Sequence, residues 1–172
     1  MAHSVELLFD QRTEAAVIRD WTALADAGLP SQSQHTSPSN RPHVTLTVAR
    51  RIDPAVDAAL WEPARQLPLD CLIGAPMIFG RAAITLVRLV VPAAGLLRLH
   101  ESVDAICAPH LTPEAYDHVR PGRWTPHVTL CRRLAPSDLP AALEAIGVDG
   151  IVGTFARLRR WDGDARVDTP IA

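Results

Sequence analysis

The stretch "RPHVTLTVAR", residues 41–50, contains the run Pro42-His43-Val44-Thr45-Leu46, which returns as Pro126-His127-Val128-Thr129-Leu130 within "WTPHVTLCRR", residues 124–133. The two histidines are 84 positions apart (127 − 43) in a chain of 172 residues. In a strand, successive side chains point to opposite faces, so His43 and Thr45 share one surface while Val44, Leu46 and Val48 turn to a core. His127 and Thr129 stand in the same way against Val128 and Leu130. Each copy therefore sets an imidazole beside a hydroxyl on a strand anchored from behind.

The repetition extends well beyond the pentapeptide. Val5-Glu6-Leu7-Leu8-Phe9 and Val87-Arg88-Leu89-Val90-Val91 match at an offset of 82 (87 − 5), each reading as a buried strand with a charge in second place. Helical periodicity follows both, at Val17, Ile18, Trp21, Leu24 and Ala25 in the first half and at Leu96, Leu99, Val103 and Ile106 in the second. Polar loops then lead to the motif strands: "GLPSQSQHTSPSNRP", whose Ser-rich part 31–40 is expected to be mobile, and "PHLTPEAYDHVRPGRWTP". Asp53-Pro54 and Ser137-Asp138 open a further helix in each half, with apolar faces at Val56, Leu60, Leu67 and at Leu139, Leu143, Ile146. Strand-like sequence closes both halves, "CLIGAPMIF" and "AAITLVRLVV" in one, "IVGTFARLRRW" and "ARVDTPI" in the other.

Strand, helix, loop, motif strand, helix, strand, read twice, predicts an α+β fold. Two similar lobes, each an antiparallel sheet with helices outside, are related by a pseudo-two-fold axis, with the active cleft between them. Each half is too short for a comfortable core of its own, so residues 1–172 are expected to form a single domain.

Composition narrows the function. An apolar fraction of 48% is ordinary for a globular chain, and a formal charge of −2 announces neither disorder nor a long nucleic-acid groove. All 17 basic residues are arginine, a residue suited to bidentate phosphate contacts. Cys71, Cys107 and Cys131 lack metal-type spacing and read as buried free thiols of a reducing compartment. No stretch approaches the roughly 20 apolar residues of a membrane span, and the start of the chain does not resemble a leader. A cytoplasmic protein is expected, and a monomer in the absence of an obvious exposed apolar stripe.

Two His-Thr pairs facing one cleft suit phosphodiester chemistry. In-line displacement at phosphorus needs a base for the attacking oxygen and an acid for the departing one. Imidazole serves both roles, since its ordinary pKa is about 6.5. Threonine hydroxyls donate to the non-bridging oxygens as charge develops. The arrangement requires no metal and no cofactor. A zinc site is the lesser alternative, because the pattern has no H-x-x-x-H and threonine is not a usual zinc ligand. His3, His35, His100, His110 and His118 read at first as structural histidines.

"PHVTLTVA" and "TPHVTLCRR" resemble the paired H-x-[TS]-x motifs of the two-histidine (2H) phosphoesterase superfamily, and with the flanking "RWTPHVTL" they look like its bacterial 2'-5' RNA ligase-like branch. The resemblance covers the whole chain in architecture, while only the two motifs are specific. It implies metal-independent action on 2',3'-cyclic phosphates or 2'-5' phosphodiester bonds at RNA ends or in cyclic nucleotides. It makes His43 and His127 the acid–base pair and Thr45 and Thr129 the phosphate holders, without saying which histidine is the base. Arg132 corresponds to a basic residue that many members carry after the second motif, although strict alternation puts it on the face away from His127 unless the strand bulges. Trp124, Tyr116 and Phe79 are candidates to stack on a base, and His35 is a candidate to line the cleft. Two alternatives stay open: joining of RNA ends as 2'-5' linkages, and a non-catalytic RNA- or nucleotide-binding module.

Overall fold

Every residue of β1 (His3–Phe9) is buried. In this computed structural model, which describes residues 2–113 and 115–171, β1 lies between β2 (His43–Ala49) and the long β8 (Ile151–Asp162). Glu114, in the second polar loop, is outside the described residues. The remaining strands are β3 (Arg51–Ile52), β4 (Leu69–Phe79), β5 (Ile84–Val90), β6 (Leu111–Thr112), β7 (His127–Leu134) and β9 (Val167–Pro170). The helices are α1 (Gln11–Asp26), α2 (Asp57–Ala64), α3 (Ala94–Cys107) and α4 (Leu139–Ile146). Asp10 starts α1 as its N-cap, its carboxylate accepting from the Thr13 amide at 2.8 Å.

The lobes share one antiparallel sheet in the order β2-β1-β8-β4-β5-β7, with β9 beside β8; β3 and β6 form a separate ribbon. That order is a palindrome under exchange of the halves. At its centre β4 and β8 pair through Leu69–Phe155, Cys71–Gly153 and Ile73–Ile151. A shift of 82 residues carries 69, 71 and 73 onto 151, 153 and 155, so the ladder maps onto itself about Cys71–Gly153. The pseudo-two-fold axis runs through that pair.

The halves are interleaved. The closing strand of each half joins the opening strand of the other, β4 to β5 and β8 to β1. Helices cross over too: α1 packs on α4 and β7, and α3 packs on α2 and β2. One apolar cluster draws Val17, Leu24, Val44 and Leu46 from the first half and Leu99, Val103, Val128 and Leu130 from the second. The three cysteines are buried and free, and burial pushes the Cys71 and Cys107 thiols up to about 12, which makes them inert. Among the described residues, no helix is long and apolar enough to cross a membrane.

One detail of the repeat needs correction. Glu6 pairs with Thr45 on β2, whereas the residue paired with Thr129 on β7 is Val87, not Arg88. The opening strands therefore correspond at an offset of 81, and the two charges face opposite ways. Arg88 points into the helix layer, buried, where it donates to Asp20 at 2.7 Å and to the carbonyls of Gly74, Ile146 and Asp149. Both strands are so apolar that a slip of one residue leaves the sequence match looking intact.

Candidate active site

The motif strands β2 and β7 lie at opposite ends of the pairing order, yet the sheet curls until their Cα atoms come within 8 Å of each other. Between them opens a cleft of about 500 Å³, lined by His43, Thr45, His127 and Thr129. Val44, Leu46, Val128 and Leu130, on the reverse face, have no exposed surface. The ring geometry is duplicated: His43 Nδ1 lies 2.7 Å from the Arg41 carbonyl, and His127 Nδ1 lies 2.7 Å from the Thr125 carbonyl. A carbonyl only accepts, so each Nδ1 carries a proton, and each Nε2 is the nitrogen that exchanges one. Pro42 and Pro126 sit between ring and acceptor with φ fixed near about −65°, which accounts for a proline before each histidine.

Both motif strands are bulged at the same place. On β2, Val5 and Glu6 face Thr47 and Thr45, so Leu46 is the extra residue; on β7, Leu86 and Val87 face Cys131 and Thr129, so Leu130 is. A bulge turns the following residues over. Arg132 thereby returns to the cleft wall, the outcome that strict alternation excludes. Val48 does the same on β2: it lines the cleft, whereas strict alternation turns it to the core. Thr47 and Cys131 take the inward places and are fully buried.

Beneath the rings the two halves differ. Glu6, 4% exposed, accepts from Arg159 Nε at 2.8 Å and from Ser4 Oγ at 2.5 Å, and its Oε1 lies 3.7 Å from His43 Nε2. Arg159 also reaches Asp168 at 3.3 Å. Burial alone would raise the Glu6 carboxyl, but His43, Arg159 and Ser4 outweigh it and hold the group below its ordinary value. In the second half Val87 and Met77 pair where Glu6 and Arg159 pair in the first. The rings of His127 and Phe79 meet with their planes 64° apart and their centroids 4.9 Å apart. Burial first, then the charges of Arg132, His43 and His118, hold His127 below the usual imidazole value, against the opposing effect of the Thr125 carbonyl.

Of the other residues singled out in the sequence, Arg132, Trp124 and Phe79 line the cleft, and His35 and Tyr116 are not among the lining residues. Tyr116 is half exposed and stacks on His118, which does line it. Trp124 stacks on buried His100, with centroids 3.9 Å apart and planes 5° from parallel. Glu6, Ser4, Thr85, His118 and Arg123 also line the cleft and escaped the sequence reading. Only Glu6 carried a signal, a lone carboxylate in an otherwise apolar strand. His3, Asp162 and Asp164 gather away from the cleft. There His3 Nδ1 accepts from the Ile52 amide, leaving the Nε2 proton to the two carboxylates.

Comparison with known proteins agrees with this fold. The family model for the 2'-5' RNA ligase superfamily matches residues 10–166. No curated protein matches the chain in sequence. Among solved structures, Kluyveromyces marxianus Usb1 with uridine monophosphate is similar with a TM-score of 0.55 at 11% identity, over 98% of this chain and 98% of that one. Apo E. coli LigT gives 0.53 at 16% identity over 98% and 93%, and E. coli LigT with 3'-AMP gives 0.50 at 14% over 98% and 92%. At such identities the likeness is one of fold.

Proposed function

Since the chain belongs to the 2'-5' RNA ligase superfamily, we propose that it is a metal-independent phosphodiesterase acting on 2',3'-cyclic phosphates or 2'-5' phosphodiester bonds of RNA ends or nucleotides. The observation that carries this reading is the pair of imidazoles lining one cleft, each with Nδ1 tied to a carbonyl two residues earlier. One Nε2 takes a proton from water as its oxygen bonds to phosphorus. The other gives a proton to the oxygen whose bond to phosphorus breaks, leaving a phosphomonoester and a free hydroxyl. Thr45 and Thr129 donate to the non-bridging oxygens, and Arg132 adds positive charge at the cleft wall. Phe79 and Trp124 offer ring surface to a base, in keeping with nucleotide-bound structures of similar fold.

The test is a panel of 2',3'- and 3',5'-cyclic nucleotides and 2'-5' dinucleotides, assayed with and without chelator, with the product phosphate located by phosphorus NMR. Turnover indifferent to chelator is expected, and His43→Ala and His127→Ala each lower it by about 10²-fold or more. Undiminished turnover in both single variants overturns the reading. Because the same groups run the reaction backwards, incubation with paired RNA ends tells hydrolysis from 2'-5' joining by product alone.

A further inference from the structure

Phe79, Thr85 and Arg132 line one end of the cleft. Phe79 pairs with Thr85 across the β4–β5 hairpin. On the other edge of β5, the step from Leu86–Cys131 to Ile84–Leu134 leaves Thr85 facing two residues, Arg132 and Arg133, in a second bulge of β7. Arg81 stands in the turn of the hairpin, just beyond Phe79. All three arginines are exposed, and among the described residues no guanidinium of the three donates to a partner. From Cys71 to His100 and from His118 to Ser137 the sequence has no acidic residue, so no carboxylate of these segments offsets the charge.

The other end of the cleft, related by the pseudo-two-fold, is built differently. There Trp161, Ser4 and Val48 stand where Phe79, Thr85 and Arg132 stand here. A valine replaces the arginine, and the turn after β8 holds Asp162 and Asp164 in the region that corresponds to Arg81. The arginines of that end, Arg50, Arg51 and Arg166, share it with these carboxylates and with Asp53. Positive charge is in excess only at the Phe79 end. Arg133 has a φ of 59°, a conformation that glycine or asparagine adopts at lower cost. An arginine held against the preference of its backbone points to a use for the side chain.

We propose that Arg81 and Arg133, with Arg132 at the boundary of the cleft, form a subsite for a second, unreacting phosphate, so that the preferred substrate is a nucleotide phosphorylated at its 5' oxygen as well as at the reacting diester. This rests on the reading that the diester reacts between His43 and His127. A cyclic diester occupies the 2' and 3' oxygens of the ribose and leaves the 5' oxygen as the place for another phosphate. With the base on Phe79, between the histidines and Arg81, that phosphate falls to the arginines, whose guanidinium groups donate in pairs to phosphate oxygens. The occupant is a terminal phosphomonoester or the diester to a preceding nucleotide, and the chemistry at the arginines is the same.

The test compares kcat/KM for cytidine 2',3'-cyclic phosphate, for the same nucleotide with a 5'-phosphate, and for a dinucleotide ending in the same cyclic phosphate. In the wild type, at least one phosphorylated form is preferred over the first by about tenfold or more, and added salt shrinks the ratio. A gain with the 5'-phosphate alone identifies the monoester as occupant, and a gain with the dinucleotide alone identifies the diester. In Arg81→Ala/Arg133→Asn, where asparagine suits the positive φ, the ratio falls to about one. Arg81→Ala by itself, on an exposed turn, lowers it by about threefold and decides the matter if the double variant is unstable. Equal kcat/KM for all three substrates in the wild type overturns the proposal, as does a ratio that survives both variants. If none of the three is turned over, the functional reading fails, and calorimetric titration with adenosine 3'-monophosphate and adenosine 3',5'-bisphosphate still decides the subsite. The bisphosphate is then bound about tenfold more tightly by the wild type and not by the double variant, and equal affinities in the wild type overturn the proposal.

Discussion

Trp21 and Trp124 each hold the motif strand of the opposite half. The indole N–H of Trp21 donates to the Thr129 carbonyl at 3.0 Å, and that of Trp124 donates to the Thr45 carbonyl at 3.0 Å. Since β2 and β7 are the ends of the sheet's pairing order, these carbonyls sit on strands with one open edge. The two indoles close that edge at the residues whose hydroxyls face the cleft.

Trp21→Phe keeps most of the packing and removes only the donor. A loss of about 1 kcal/mol in urea unfolding is expected, the net worth of an ordinary hydrogen bond. Turnover falls by about threefold to tenfold as Thr129 loosens, because small misplacements are costly in a site of this kind. Trp124→Phe has the same effect on stability and a larger one on KM, since Trp124 also walls the cleft. Unchanged kinetics in Trp21→Phe show that the carbonyl contact does not position the threonine.

Thr47 is fully buried, and its hydroxyl has no hydrogen-bond partner among the described residues. Its counterpart across the pseudo-two-fold is Cys131, 84 residues on, where a thiol fills the same inward bulge position at little polar cost. Thr47→Val retains the shape and removes the stranded oxygen, so stability rises by about 1 kcal/mol. A lower urea midpoint in the variant shows that the hydroxyl is satisfied in solution.

Period-two alternation carried the sequence reading far. It placed His43, Thr45, His127 and Thr129 on one surface, and the repeat of strand, helix and loop anticipated the pseudo-two-fold. It broke down at Val48, because a bulge adds one residue without altering composition, and nothing in Leu46-Thr47 or Leu130-Cys131 marks one. The off-by-one match of Glu6 to Arg88 has a related cause: strands with apolar residues on both faces carry little register information. Strand exchange between halves was illegible because each segment reads the same whichever neighbour it pairs with. His118 and Arg123 reach the cleft through the fold of an irregular loop, for which periodicity has no rule.

Acid acts on stability in two stages. His127 and His100 both lie below the ordinary imidazole value, chiefly through burial. Between about pH 6.5 and those lowered values the unfolded chain binds more protons than the native one, so stability drops as pH drops. Glu6, also lowered, contributes stability that is complete above its unfolded value of about 4.3 and is lost as pH falls through its native one. Urea midpoints are therefore expected to decline gently from pH 7 to 5 and more steeply below 4. His100→Gln, which retains a donor for the Val119 carbonyl now bonded at 2.8 Å, flattens the first stage and leaves the second. A midpoint that rises from pH 7 to 5 reverses the assigned sign.

Gly153 sits on the pseudo-two-fold axis opposite Cys71, yet only one of the two positions tolerates a side chain. A Cβ at residue 153 would lie 2.4 Å from Thr13 Cγ2, 2.6 Å from Thr13 Oγ1 and 3.1 Å from Thr13 Cβ. Thr13 has no room to yield: it is 2% exposed, its amide is held by the Asp10 cap, and its hydroxyl accepts from the Thr154 amide at 3.0 Å. Relief requires the first turn of α1 to lift from the sheet. Gly153→Ala is thus expected to cost about 1–3 kcal/mol, the range for overpacking a filled site. Because α1 also carries Trp21, the displacement reaches the Thr129 carbonyl, and turnover falls with stability. Removing the obstructing atoms separates this clash from any intrinsic demand of the backbone. In Gly153→Ala/Thr13→Ala the combined loss is smaller than the sum of the single losses by about 1 kcal/mol or more, the coupling expected of residues in contact. Additive losses in that double-mutant cycle would place the cost of Gly153→Ala in the β4–β8 ladder itself and not in the approach of α1.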